Sequence, residues 1–208
     1  MEARRGRILE EAGRLLSAGG IEELTVRALA QQARVTVPTI YNLIGAKEAI
    51  VAALVAEALD RLDATMAALP AARGIARGQA AVRANLDLCF SEPCRYRALY
   101  RSLTDPHASC APFGQLFRRA GEVFTLAVRE AVADEDLHGR LLALPLGHHI
   151  LHGLIETFRL WGTEALSVAA TEARASYVLL TGFMADATKQ GRRKILERLQ
   201  AVEVLLDN

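Results

Sequence analysis

The chain has 208 residues, with 25 Lys and Arg against 24 Asp and Glu and a formal net charge of +1. Its 51% hydrophobic and 24% charged residues exclude an intrinsically disordered chain, which is poorer in apolar side chains. The longest stretch between formal charges, residues 141–155, is shorter than the roughly 20 apolar residues a membrane helix needs, and it carries a Pro and three His. Near-neutrality also argues, at first sight, against a nucleic-acid partner. No segment hides a basic block: residues 1–50 carry seven basic and six acidic groups. No apolar run follows the N-terminal Arg4, Arg5 and Arg7, so no signal peptide is expected. Cys89, Cys94 and Cys110 form an odd set without a CxxC, which fits small buried fillers in a reducing, cytoplasmic protein.

Ala, Leu, Arg and Glu dominate and no sustained alternating run suggests a strand, so the expected fold class is all-α. Ile8, Leu9, Ala12, Leu15 and Leu16 form one face of a first helix that ends at Gly19-Gly20. Thr25 caps a short second helix, with Val26, Leu29, Ala30 and Ala33 inward. After a turn at Arg34-Val35, Thr36 caps a third, with Pro38 near its first turn. A long helix follows from about 46 to 67. Further helices are expected near 77–91, 94–103, 113–134, 140–161, 168–189 and 192–206, with Gly162 and Gly191 among the breaks. Of eleven aromatics only Tyr41 precedes residue 88, which separates a small head from a bulkier body.

The short helices joined by a tight turn, anchored by Leu29, Ala33, Val35 and Ile40, read as a helix-turn-helix. The outer face of the second carries Thr36, Val37, Thr39, Tyr41 and Asn42, side chains suited to base edges, thymine methyls and phosphates. Lys47, at the start of the next helix, joins a cation to free backbone N–H groups, a phosphate-binding combination.

From Ile8 to about Leu54 the sequence resembles the TetR family of bacterial transcriptional regulators. The segments Thr25-Val26-Arg27-Ala28-Leu29-Ala30 and Thr39-Ile40-Tyr41-Asn42-Leu43-Ile44-Gly45-Ala46-Lys47-Glu48-Ala49-Ile50 carry the likeness most closely. Two positions depart from the pattern: Arg34 stands where the turn usually has Gly, and Ile44 where an aromatic is usual. The resemblance implies that Thr25, Tyr41 and Lys47 meet phosphate and that Thr36, Val37, Thr39 and Asn42 face the major groove. Arg4, Arg5 and Arg7 are either a solvated terminus or a further DNA contact.

For the body, the resemblance implies dimerisation and ligand binding. Residues 1–48 form the DNA-binding domain and 49–208 the helical body. The expected dimer surface involves the helices at 140–161 and 168–189, with Val178, Leu179, Gly182 and Phe183. The expected pocket draws on Phe90, Tyr100, Phe113, Phe117, Phe124, Phe158 and Trp161. His148, His152 and Glu156 share one helical stripe at i, i+4, i+8 spacing, while His149 points elsewhere. That stripe reads as a polar pocket wall through His148 and His152, as solvated groups at the dimer surface, or as the start of a metal site that lacks further ligands. No metal or other cofactor is expected.

Enzyme signatures are missing: there is no Gly-rich phosphate loop, nucleophile elbow or HExxH. The leading reading is a regulator, a repressor in particular, that binds palindromic double-stranded operator DNA as a homodimer and is released by a small, largely apolar effector. The alternative is a helical dimeric regulator or interaction protein without small-molecule induction.

Overall fold

In the computed structural model, residues 2–68, 71–102 and 111–206 are described; side chains at 111–116 and at a few other helical positions are not. Phe113 and Cys94 therefore lie outside the described side chains and Cys110 outside the described residues. The described residues are all-α: α1 (Glu2–Glu23), α2 (Val26–Gln32), α3 (Val37–Leu43), α4 (Lys47–Ala67), α5 (Gly74–Ser91), α6 (Pro93–Ser102), α7 (Ala111–Ala133), α8 (Ala143–Gly162), α9 (Val168–Met184) and α10 (Lys189–Leu206). Among them, one isolated antiparallel bridge, Leu137 to Ala187, is the only strand-like pairing. No single described helix is long and apolar enough to cross a membrane.

Local chemistry sets the head. Gly20 leaves the helical region (φ 76°, ψ −163°), so α1 breaks where its paired glycines lie. Thr25 caps α2, its Oγ1 accepting from the Ala28 N–H at 3.1 Å. Past α2, the Val35 N–H reaches back to the Ala30 carbonyl at 2.9 Å and the Arg34 N–H to that of Gln31 at 3.3 Å. This is the double closure of a Schellman turn, which wants a left-handed residue between the two bonds. Arg34 fills that place at φ 52°. Ile8, Leu9, Leu24, Leu29, Ile40 and Ile50, all fully buried, close the head core, and Val51 and Leu54 of α4 extend it. Each such side chain contributes roughly 1.5–3 kcal/mol of burial.

The body packs α5 through α10 around Trp161, Phe158, Phe183, Ile150, Leu179 and Leu180. Leu99 of α6 and Phe117 of α7 pack against both cores, so head and body share a seam.

The chain's last two helices divide differently from the expectation. α9 stops at Met184, short of 189, and α10 begins at Lys189, ahead of 192. The break at 185–188 has no Gly or Pro to announce it. It is fixed at long range: Thr188 N–H bonds the Asp136 carbonyl at 3.0 Å, and the buried Asp136 carboxylate takes Lys194 Nζ at 2.7 Å and Gln190 Nε2 at 3.0 Å. Gly191 is not a helix break. It sits in the first turn of α10 with the Asp136 carbonyl oxygen 1.9 Å from where a Cβ would be. Its role is close approach.

Candidate nucleic-acid interface and interior cavity

Thr36 caps α3, and its hydroxyl lies 2.8 Å from that of Thr39, so the two threonines hold one another at the start of the helix. Between them one hydroxyl hydrogen stays free to donate outward. Thr25 uses only its acceptor in capping, leaving its own O–H available. Tyr41 is 53% exposed, a large unburied aromatic on a head otherwise packed with aliphatics. Asn42 is exposed and Lys47 half-buried at the first residue of α4. Thr25, Thr36, Thr39, Tyr41 and Asn42 thus stand on α2 and α3 around one edge of the head. Val37 differs from its expected place: it is half-buried and packs against the head core, which limits what it offers a groove.

The N-terminal arginines are not a loose tail. They belong to α1, and Arg4 and Arg7 line a surface groove together with Thr39, Asn42 and Leu43. Their i, i+3 spacing puts both guanidinium stems on one helix face beside α3. Glu10 and Glu11 of the same helix are tied to Arg14 at 2.7 Å each.

The body holds a partly open apolar cavity of about 80 Å³ between α4, α5, α6, α7 and α8. Tyr100, Phe117, Phe124 and Phe158 line it as the sequence suggests, with Tyr100 stacked on Phe158 at 4.9 Å between ring centres. Phe90 and Trp161 do not. They meet edge to face at 5.4 Å in a separate patch, where the Arg97 guanidinium covers the indole at 5.2 Å. Being large and apolar made them candidates, but the same property makes them core. The lining also includes residues that the sequence expectation does not name: Asn85, Tyr96, Leu88, Leu99 and Ile155. Asn85 Nδ2 donates to Tyr100 Oη at 3.1 Å, and the buried Cys89 Sγ lies 4.0 Å from Asn85 Oδ1. Burial pushes the Cys89 thiol far above its usual range and raises the Tyr96 and Tyr100 hydroxyls, so all three stay neutral.

The His stripe does not line the cavity. His148 is half-buried against Gly121 of α7, and His152 is exposed. Glu156 is held by Arg159, with Oε1 and Oε2 at 2.6 and 2.7 Å from the guanidinium, and these hydrogen bonds keep its carboxyl below the ordinary range. Among the described residues no three His, Cys, Asp or Glu side chains come together as a metal would require.

Three of the expected dimer residues are also placed elsewhere. Leu179 and Phe183 are fully buried within this one chain, and a Cβ on Gly182 would lie 2.5 Å from Ile150 Cγ1 of α8. Gly182 therefore seats α9 against α8, and these residues face their own core. Val178 is half-buried, over Gly153 of α8. The exposed face of the α8–α9 hairpin carries Leu142 (75% exposed), Leu144, His149, His152 and Tyr177 instead.

Comparison with known proteins places this geometry. Residues 8–54 match the family model of bacterial regulatory proteins of the tetR family. No curated protein matches the sequence. Among solved structures, the fold is similar to a gamma-butyrolactone receptor described as ArpA-like, at 20% identity over 97% of both chains with a TM-score of 0.64. It is similar to a putative TetR-family transcriptional regulator from Rhodococcus sp., at 15% identity over 87% of this chain and 99% of that one, TM-score 0.75. A third is the fatty acid degradation regulator FadR from Bacillus halodurans, at 14% identity over 86% and 97%, TM-score 0.71. Residues 8–54 thus match the head of bacterial regulators of the tetR family, and the described residues share the fold of these solved structures.

Proposed function

We propose that the chain is a repressor that binds a palindromic operator as a two-fold dimer and is released when a small, largely apolar molecule occupies the body cavity. The observation that carries this reading is the double duty of Leu99 and Phe117. Both line the cavity, and both pack against the head core. A molecule that displaces them alters the support beneath the helix-turn-helix. Its effect equals its difference in affinity between the two head positions, and DNA weakens its binding by the same factor. Two of the structurally similar proteins, the gamma-butyrolactone receptor and the fatty acid degradation regulator, bear names that speak of small molecules.

On DNA, the roles divide by chemistry. Thr25, Tyr41 and Lys47 meet phosphates, with Arg4 and Arg7 adding two cations from the groove beside α3. Thr36, Thr39 and Asn42 face base edges, with Val37 presenting only part of its side chain. Residues 1–48 make up the DNA-binding domain and 49–208 the body. One head reads too few base pairs for selectivity; two heads about one helical turn apart, roughly 34–36 Å, read a symmetric site. The exposed apolar residues of the α8–α9 hairpin, Leu142, Leu144 and Tyr177, supply a face for that pairing. Near-neutral charge makes nonspecific affinity weak, so selectivity rests on the recognition helices.

A reporter driven by the gene's own upstream region tests the repressor reading. The protein lowers expression and Tyr41→Ala restores it. Expression that rises with the protein contradicts repression. A footprint covering a single half-site contradicts the dimer.

A further inference from the structure

Building on the effector reading above, we infer that the cavity selects a neutral molecule with a hydrogen-bond-accepting carbonyl on an otherwise apolar frame. Among the described residues no charged side chain lines the cavity; its polar atoms there come from Asn85, Tyr96 and Tyr100. A carboxylate or ammonium placed there would be stripped of water with no ionic partner, and such a group neutralises rather than stays buried.

The donors on this wall then point to an acceptor as the ligand's polar group. The Asn85 amide has two N–H donors, and one goes to Tyr100 Oη. Its Oδ1 faces the Cys89 thiol at 4.0 Å. Tyr100 Oη accepts from Asn85, and its own hydrogen has beside it only the Cys89 sulfur, a weak acceptor. The pair therefore offers two donors, the second Asn85 N–H and the Tyr100 O–H, beside an Asn85 Oδ1 met only by the weak thiol donor. Burial keeps the Tyr100 hydroxyl protonated, so that donor persists through the neutral range. Stacking on Phe158 fixes the ring that carries it. A ketone, ester or lactone oxygen satisfies both donors at once, while the walls of Leu88, Val123, Leu154 and Ile155 take the hydrocarbon.

The test uses the full-length protein at pH 7.5 and three probes of similar size: 2-heptanone, toluene and heptanoate. Dissociation constants come from ligand-observed NMR, with circular dichroism as the control for folding. The ketone binds the unmodified protein; Asn85→Leu and Tyr100→Phe each weaken it about fivefold or more, as loss of a buried hydrogen bond does, while toluene affinity shifts less than twofold. Should one variant fail to fold, the other decides. Heptanoate binding as tightly as the ketone, or a ketone affinity that neither folded variant alters, overturns the carbonyl assignment and leaves the effector reading intact. Binding of neither ketone nor toluene overturns both.

Discussion

The Arg95 guanidinium of α6 lies 2.7 Å from a Glu57 carboxylate oxygen of α4. Arg95 immediately precedes Tyr96 of the cavity wall, and α4 is the helix whose first turns close the head core. Arg95 also contacts Glu92 at 3.3 Å, while Arg61 of α4 pairs with Glu92 from the other side. The ion pairs thus tie a helix of the cavity wall to the helix that supports the head.

Loss of that tie should be read in DNA binding rather than in folding. Arg95→Gln leaves Glu57 without its partner and frees α4 to shift. Mutations along a coupling route typically change linkage by about 0.5–2 kcal/mol. Affinity for the operator is expected to fall about three- to tenfold, with helical content unchanged. Equal affinity for both proteins would mean that α4 is positioned by the apolar seam alone.

The head makes a sharper forecast. Tyr41 is exposed, so Tyr41→Ala has little effect on thermal stability. It should weaken operator binding about tenfold if the hydroxyl and ring meet DNA. Lys47→Ala should weaken binding to all sequences alike and reduce the slope of log affinity against log salt by about 2, one contact from each head of the dimer. Anisotropy titrations at several salt concentrations separate the two outcomes; an unchanged slope would remove Lys47 from the phosphate contacts.

Arg34 offers a test of backbone strain. A non-glycine residue in the left-handed region costs roughly 1–2 kcal/mol, and the Schellman turn at φ 52° holds it there. Arg34→Gly is expected to stabilise by about 1 kcal/mol, which in a chain of this size is roughly 2–4 °C in Tm. If operator affinity falls at the same time, Arg34 contributes charge at the DNA surface. A lower Tm would contradict the strain account.

Glu130 provides the pH dependence. Its carboxylate takes Arg77 Nε at 2.7 Å, Arg77 Nη2 at 3.0 Å and the Gly74 N–H at 2.9 Å, and these bonds hold its carboxyl below the ordinary range. A folded-state value below the unfolded one gives stability that is present above the unfolded value of about 4.3 and lost as pH falls through the folded one. Glu130→Gln should therefore cost about 1 kcal/mol at pH 7 and progressively less below pH 4, as read from urea melts across that range. A cost that does not shrink on acidification would assign the loss to packing.

How far the sequence was legible follows the range of the forces involved. The head is written in local chemistry: the Thr25 and Thr36 caps, the break at Gly20 and the apolar spacing of Leu29 and Ile40 act within a few residues, so each could be read in place. The body is not. Gly182 reads in sequence as a dimer-surface residue and Gly191 as a helix break, yet each makes room for a residue far along the chain, Ile150 and Asp136. The end of α9 is set by Asp136 from the other side of the body, which no window around residue 185 contains. In the cavity, Tyr100, Phe117, Phe124 and Phe158 are visible in sequence as bulky aromatics, but size alone does not separate them from Trp161 and Phe90, which pack as core. Asn85 gave no signal, because its meaning comes from Tyr100, a residue on the next helix.

The central claim is that two recognition helices, held by a dimer, read a symmetric site. Selection of a random duplex pool by the purified full-length protein tests it most directly, followed by titration of the selected site and a scrambled copy at physiological salt. The expected result is enrichment of a two-fold-symmetric sequence with half-sites about one helical turn, or a whole multiple, apart, bound at least roughly a thousandfold tighter than the scrambled copy. A pool with no sequence enriched above nonspecific background would contradict it.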